Sequence, residues 1–339
     1  MKKRVLLVLT GGTICSARGQ DKLNDLDTEA AVPGLLSMYE EATGDRNKEM
    51  VVTLPLNTLS ENMTIEKWNC LLNELAKYRT GDSKLDGIII LHGTDTLHFT
   101  GPLVGEFMKG VRLPVILVSS HRILEDPEAN GLDNLKVAMK LIDFNIPGTY
   151  VPYRNVDGSM YLHRAKDLEE CPDYSEDFHS KTEMVLDMNK PDYGLIKYDL
   201  FAAYDKNLDA GKENFQLVEI SDSWPGSDNV NLKNNVLYIK PYVGLDFSQF
   251  KIDKVKAVLL GLYHSSTVRT EGGDDDETSA LYLLKRCKEK GIDLYIFPCQ
   301  KDSFRYSSTK PLLEGGAIPL YGGTFEKNYI DLIIKYSVT

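Results

Sequence analysis

The sequence predicts an α/β fold: a larger N-terminal unit on a mostly parallel, doubly wound sheet, then a smaller C-terminal α/β unit. Three observations carry this. Arg4–Leu9, Gly87–Leu91 and Leu113–Val118 are near-continuous apolar runs, as strands covered on both faces require. Stretches of helical periodicity alternate with them, the order of a parallel sheet with right-handed crossovers. At 339 residues the chain also exceeds the usual size of one core. The expected division is 1–195 for the first unit, 196–235 for a linker and 236–339 for the second.

The elements follow in order. Strand Arg4–Leu9 ends in Gly11-Gly12, and the polar, aperiodic residues 15–30 predict a mobile loop over that strand end. A short helix opens at Pro33-Gly34 and stops near Gly44. Met50–Leu54 is the second strand. Thr64 is placed to cap a helix whose Ile65, Trp68, Leu71, Leu72 and Leu75 form one apolar stripe. Strand Gly87–Leu91 feeds a further helix. Strand Leu113–Val118, helix Leu132–Phe144 and a strand at Thr149–Tyr153 complete the first unit's alternation.

From about Asp157 to Asn235 the pattern weakens, with short strands expected at Thr182–Leu186 and Phe215–Ile220. Strands Val236–Ile239, Ala257–Leu262 and Asp293–Phe297, helix Glu277–Lys290, and helices near Thr309 and Phe325 make the second unit. The acidic run Glu271–Glu277 predicts a solvated loop that caps the following helix with negative charge.

Composition narrows the function classes. Fifty acidic against 39 basic residues give a formal charge of −11, which argues against nucleic acid or an anionic membrane as partner. The apolar run after Lys2-Lys3-Arg4 is too short for a secretory signal, and none approaches the roughly 20 residues of a membrane helix. The five scattered cysteines have neither disulfide nor zinc spacing, so a reducing, cytoplasmic setting is expected.

Two strand ends carry reactive groups. Thr10-Gly11-Gly12-Thr13 lacks the G-x-G-x-x-G and Gly-Lys-Ser/Thr patterns of nucleotide loops. Its glycines permit a sharp turn that presents Thr13, either as a reactive hydroxyl or as a plain turn residue. His92-Gly93-Thr94-Asp95-Thr96 closes the strand at Leu91. His92 and His98 are six apart, which suits no zinc pattern, and there is no G-x-S-x-G elbow. Asp95 is placed either to hold an ammonium or orient a base, or to cap the following helix. The two strand ends are expected to face each other across one cleft.

Together LTGGTI at residues 9–14 and LHGTDTLHFTG at residues 91–101 resemble the two signature motifs of the bacterial-type asparaginase/glutaminase family. LSENMTIEKW, LPVILVSSHRI, NGLDNLKVAM and STKPLLEGGAIPLYGGTFE extend the likeness over most of the chain, thinly between about residues 170 and 235. The resemblance implies a short, cytoplasmic type of L-asparaginase, giving L-aspartate and ammonia without a cofactor or metal. It implies Thr13 as nucleophile, and Thr94, Asp95 and a lysine as a hydroxyl–ammonium–carboxylate relay.

For the substrate, the likeness implies Asp95 on the α-ammonium and Ser60 on the α-carboxylate, with Gly12, Glu61, Gly93 and Ser120 completing the binding set. It also implies a homodimer or homotetramer. Arg164-Ala165-Lys166-Asp167 departs from the family's R-x-x-K run: Lys166 comes one residue early, with Asp167 in the expected place. Lys166 is the expected relay lysine. Residues 14–38 hold no tyrosine, which the family's mobile loop usually brings to the nucleophile. The alternatives are amide hydrolysis on glutamine or another substrate, an amidotransferase subunit acting on glutamine beside charged tRNA, against which the acidic balance counts, and a non-catalytic amino-acid-binding relative.

Overall fold

The computed structural model describes residues 2–18, 24–79, 84–195, 229–300 and 306–338. These fall into two compact units, divided at residues 230 and 231 among the described residues. The expected linker, 196–235, lies mostly outside them, as does the expected strand at Phe215–Ile220.

The first unit is built on strands β1 (Lys3–Leu9), β4 (Lys48–Thr53), β5 (Gly87–Leu91), β6 (Pro114–Val118), β7 (Gly148–Arg154), β8 (Met160–Arg164) and β9 (Met184–Leu186). Their order across the sheet is β4-β1-β5-β6-β7-β8-β9. The first five are parallel, and β8 and β9 add antiparallel. Val5, Leu7, Leu9, Ile89 and Leu91 pack with residues of helices α1 (Thr28–Thr43) and α4 (Gly131–Asp143). The alternate residues Leu6, Val8, Ile88 and Ile90 are fully buried on the opposite face. The sheet is therefore covered on both sides, as its unbroken apolar strands require.

Helices α2 (Ile65–Ala76) and α3 (Leu97–Phe107) are joined by the Trp68 indole N–H donating to Thr100 Oγ1 at 3.0 Å. Thr64 caps α2 as expected, its hydroxyl accepting from Lys67 N. The second unit holds a parallel four-stranded sheet of β10 (Val236–Ile239), β11 (Ala257–Gly261), β12 (Asp293–Cys299) and β13 (Ile318–Tyr321). Helices α5 (Ala280–Lys290), α6 (Lys310–Glu314) and α7 (Phe325–Val338) follow its strands.

Several local expectations change. The expected aperiodic loop contains a small hairpin, β2 (Ser16–Arg18) on β3 (Asn24–Leu26), whose strands are too short to show a period. Helix α1 opens at Thr28, because Asp27 rather than Pro33 supplies the start signal: its carboxylate accepts from Ala30 N. The acidic run does not cap α5. Asp276 accepts from Arg269 and Thr278, Lys285 pairs with Asp274 and Asp275, and Ser279 is the cap. All five cysteines are free. No helix among the described residues is long and apolar enough to cross a membrane.

Candidate active site

β1 and β5 lie side by side in parallel register, from Val5 opposite Gly87 to Leu9 opposite Leu91. β4 flanks β1 on the other side, so the chain reverses direction across the sheet between β1 and β5. The carboxyl ends of strands at such a switch point form a crevice. Backbone approach is close here. A Cβ on Gly12 would lie 2.3 Å from the Cα of Gly93, and one on Gly93 would lie 2.4 Å from Ser60 Oγ. Gly12 also has φ 83° and ψ 178°, a region that side chains exclude. These glycines let the two strand ends meet and set Thr13 at the start of a 3-10 turn, Thr13–Cys15.

The second strand end is tied to a neighbouring turn. Ser60 Oγ donates to Asp95 Oδ2 at 3.1 Å and accepts from Asp95 N at 3.2 Å, while Thr96 Oγ1 donates to Ser60 O. The Asp95 carboxylate is exposed, so it escapes the desolvation expected at the end of an apolar strand. It does not cap α3 either: the cap residue is Thr96, whose side chain makes no cap bond.

Thr13, Thr94 and Asp95 line one cavity of about 430 Å³, so the structure brings together the two strand ends that the sequence singles out. The first turn of α3 adds His98. The turn after β6 adds His121, and the segment after β8 adds Glu170, Cys171 and Glu176. His98 is buried; burial lowers its pKa from 6.5 to about 4, with Asp95 opposing, which leaves a neutral imidazole at pH 7. Its Nε2 has no hydrogen-bond partner. The Cys171 thiol is pushed up to about 12, by burial first and then by the charges of Asp177, Glu170, Asp95 and Glu176. It is therefore no nucleophile at neutral pH. His92 stays off this cavity, fully buried, with Nδ1 2.7 Å from the Gly93 carbonyl oxygen.

Other expected site residues lie elsewhere. Lys166 is exposed on the turn Ala165–Asp167 and lines a different cavity, with Gly105, Met108, Thr149 and Arg164. The expected relay lysine is thus not brought to Thr13. The reason is packing: Ala165 sits against Gly101 of α3, which turns the next side chain outward. Asp167 does not replace it, because its carboxylate accepts from Thr182 Oγ1. Ser120 is fully buried and committed to Arg122 O and Gly131 N. The Gly12 N–H is spent on Thr58 O, and Glu61 is exposed off the cavity.

Sequence reasoning gave no site role to the lining residues His98, His121, Glu170 and Glu176. His98 stands three after Asp95, a spacing that puts both on one side of a helical first turn. His121, Glu170 and Glu176 give no local signal, since turns and a long aperiodic connection carry them.

Comparison with solved structures defines the class. The L-asparaginase from Thermococcus kodakarensis superposes with a TM-score of 0.69 at 19% identity, covering 99% of this chain and 93% of that one. L-asparaginase I from Vibrio cholerae gives 0.68 at 20%, with the same coverage. The fold is that of L-asparaginases. Residues 4–172 match the family model described as "Asparaginase, N-terminal". Through residues 4–172 the chain belongs to the asparaginase family. Among curated relatives, a glutamyl-tRNA(Gln) amidotransferase subunit from Methanococcus maripaludis is 28% identical over 343 residues, 98% of this chain and 75% of the relative. The corresponding protein from Thermococcus kodakarensis is 25% identical over 337 residues, 97% and 70%.

Proposed function

We propose that the protein hydrolyses the side-chain amide of L-asparagine to L-aspartate and ammonia through an ester on Thr13. The observation that carries this reading is the meeting of Thr13 with Thr94 and Asp95 in one cavity at the switch point of the sheet. The Thr13 hydroxyl attacks the amide carbon and yields its proton to a base. The C–N bond then breaks, the leaving nitrogen takes a proton, and ammonia departs. Water hydrolyses the ester and restores the hydroxyl.

His98 takes the role expected of Lys166: it lines the same cavity and stays neutral above pH 5, as a general base must. Thr94 relays the proton. Asp95, oriented by Ser60, binds the substrate's ammonium. A second reading has L-glutamine as substrate; it is favoured by the likeness to amidotransferase subunits along nearly the whole chain. The proposed setting is cytoplasmic, supported by the five free cysteines. A homodimer or homotetramer is proposed on family likeness alone.

The test is ammonia release from L-asparagine and L-glutamine by wild type and by the Thr13→Ala, His98→Gln and Lys166→Ala variants. Turnover by wild type and Lys166→Ala is expected, with losses of about 10³-fold or more in the other two. Loss in Lys166→Ala would return the base to lysine. A folded wild type inactive on both amides would leave a binding protein.

A further inference from the structure

The charge in the Thr13 cavity is one-sided. Asp95, Glu170 and Glu176 line it, and no lysine or arginine does so among the described residues. A relay built as hydroxyl, ammonium and carboxylate keeps here its hydroxyls and its carboxylate, while the lysine at 166 lines another cavity. Asp95, Glu170 and Glu176 line the cavity together with Cys171, whose thiol each of them helps to raise after burial and Asp177. Ser60 serves Asp95, whereas Glu170 makes no ion pair with a described residue.

Two histidines point the same way. The His121 side chain is 7% exposed and lines the cavity; its Nδ1 has no partner, and its Nε2 stands 3.8 Å from Glu176 Oε2. That separation is too long for a hydrogen bond. A ring nitrogen of His98 lies within 4.8 Å of a Glu170 carboxylate oxygen, again short of contact. A donor placed between His121 Nε2 and Glu176 Oε2 would meet an acceptor on either side.

We propose that this cavity recognises a substrate with a second cationic group besides its α-ammonium, with Asp95 on the α-ammonium and Glu170 and Glu176 on the other. The inference rests on the amidohydrolase reading for the position of the scissile amide. A primary ammonium suits the place: it brings three donors and no acceptor, against carboxylates and imidazole rings. A free α-carboxylate meets no cationic side chain among the described lining residues. The substrate class is thus an asparagine-like amide whose carboxylate is masked by a basic group.

Three ligands test this by calorimetry at low salt: L-asparagine, L-asparaginamide and the N-(2-aminoethyl)amide of L-asparagine, carrying net charges of about 0, +1 and +2 at neutral pH. Wild type is expected to bind the dication at least about tenfold more tightly than the zwitterion. That ratio should collapse towards one in the Glu170→Gln/Glu176→Gln double variant, whose changes keep side-chain shape at exposed positions. Equal or tighter binding of L-asparagine by wild type overturns the proposal, as does a ratio that persists in the double variant. Ammonia release from the same ligands separates the two readings. Turnover of L-asparagine without cation preference removes this inference and leaves the amidohydrolase. Cation preference without ammonia from any ligand removes the amidohydrolase and supports the cation site.

Discussion

Gly12→Ala tests whether the contact between the two strand ends is what fixes the site. At φ 83° and ψ 178° the residue occupies a region used almost only by glycine, which costs a side chain about 1–3 kcal/mol. The added Cβ would lie 2.3 Å from both the Cα and N of Gly93, backbone atoms that cannot rotate away as a side chain can. Overpacking of that kind costs about 1–3 kcal/mol more. The expected loss is therefore about 2–6 kcal/mol, a large share of a domain's margin.

Two controls separate the contributions. Gly44→Ala also has positive φ, at 68°, but nothing lies within 4 Å of its Cβ, so about 1–2 kcal/mol is expected. Gly34→Ala sits inside α1 with open space around it and should stabilise by about 0.5–1 kcal/mol. Urea unfolding followed by far-UV circular dichroism and tryptophan emission gives the three values, alongside ammonia release. Equal losses in Gly12→Ala and Gly44→Ala would refute the argument, because the strand-end contact would then contribute nothing.

Three further outcomes are expected. With His98 as base, kcat/KM should stay level from about pH 5 to 7 and fall as pH drops through about 4, where the imidazole protonates; a limb at pH 6.5 contradicts the assignment. Thr100→Val keeps shape but leaves the buried Trp68 indole N–H unpaired, at a cost of about 1–3 kcal/mol measured by urea unfolding. Lys48, its side chain 7% exposed, pairs with Asp45 at 2.6 Å and Asp143 at 2.8 Å, so Lys48→Met should cost about 1–3 kcal/mol at pH 7. Burial would raise the pKa of Asp45, but hydrogen bonds led by Lys48 hold it below 3.8. Its contribution is therefore present above about pH 4 and lost as pH falls through the lowered value, so the wild-type advantage over Lys48→Met should shrink in acid.

Chain order alone determined the alternation of strand and helix, the parallel core sheet and the placing of Thr13 and Thr94-Asp95 at strand ends. The reason is that a strand buried on both faces must be apolar throughout, and reactive groups then stand out where the apolar run breaks off. Thr64 was readable as a cap because capping acts within four residues. The hairpin β2–β3 and strand β13 were not readable, being too short for a period to show. Lys166 was misplaced for a related reason: its direction depends on Ala165 packing against Gly101, a contact across 64 positions of sequence. Only the tertiary structure gathered His98, His121, Glu170 and Glu176 around Thr13. Side chains carried by turns and aperiodic connections take their direction from what the folded sheet packs beneath them, and no local pattern of residues encodes that.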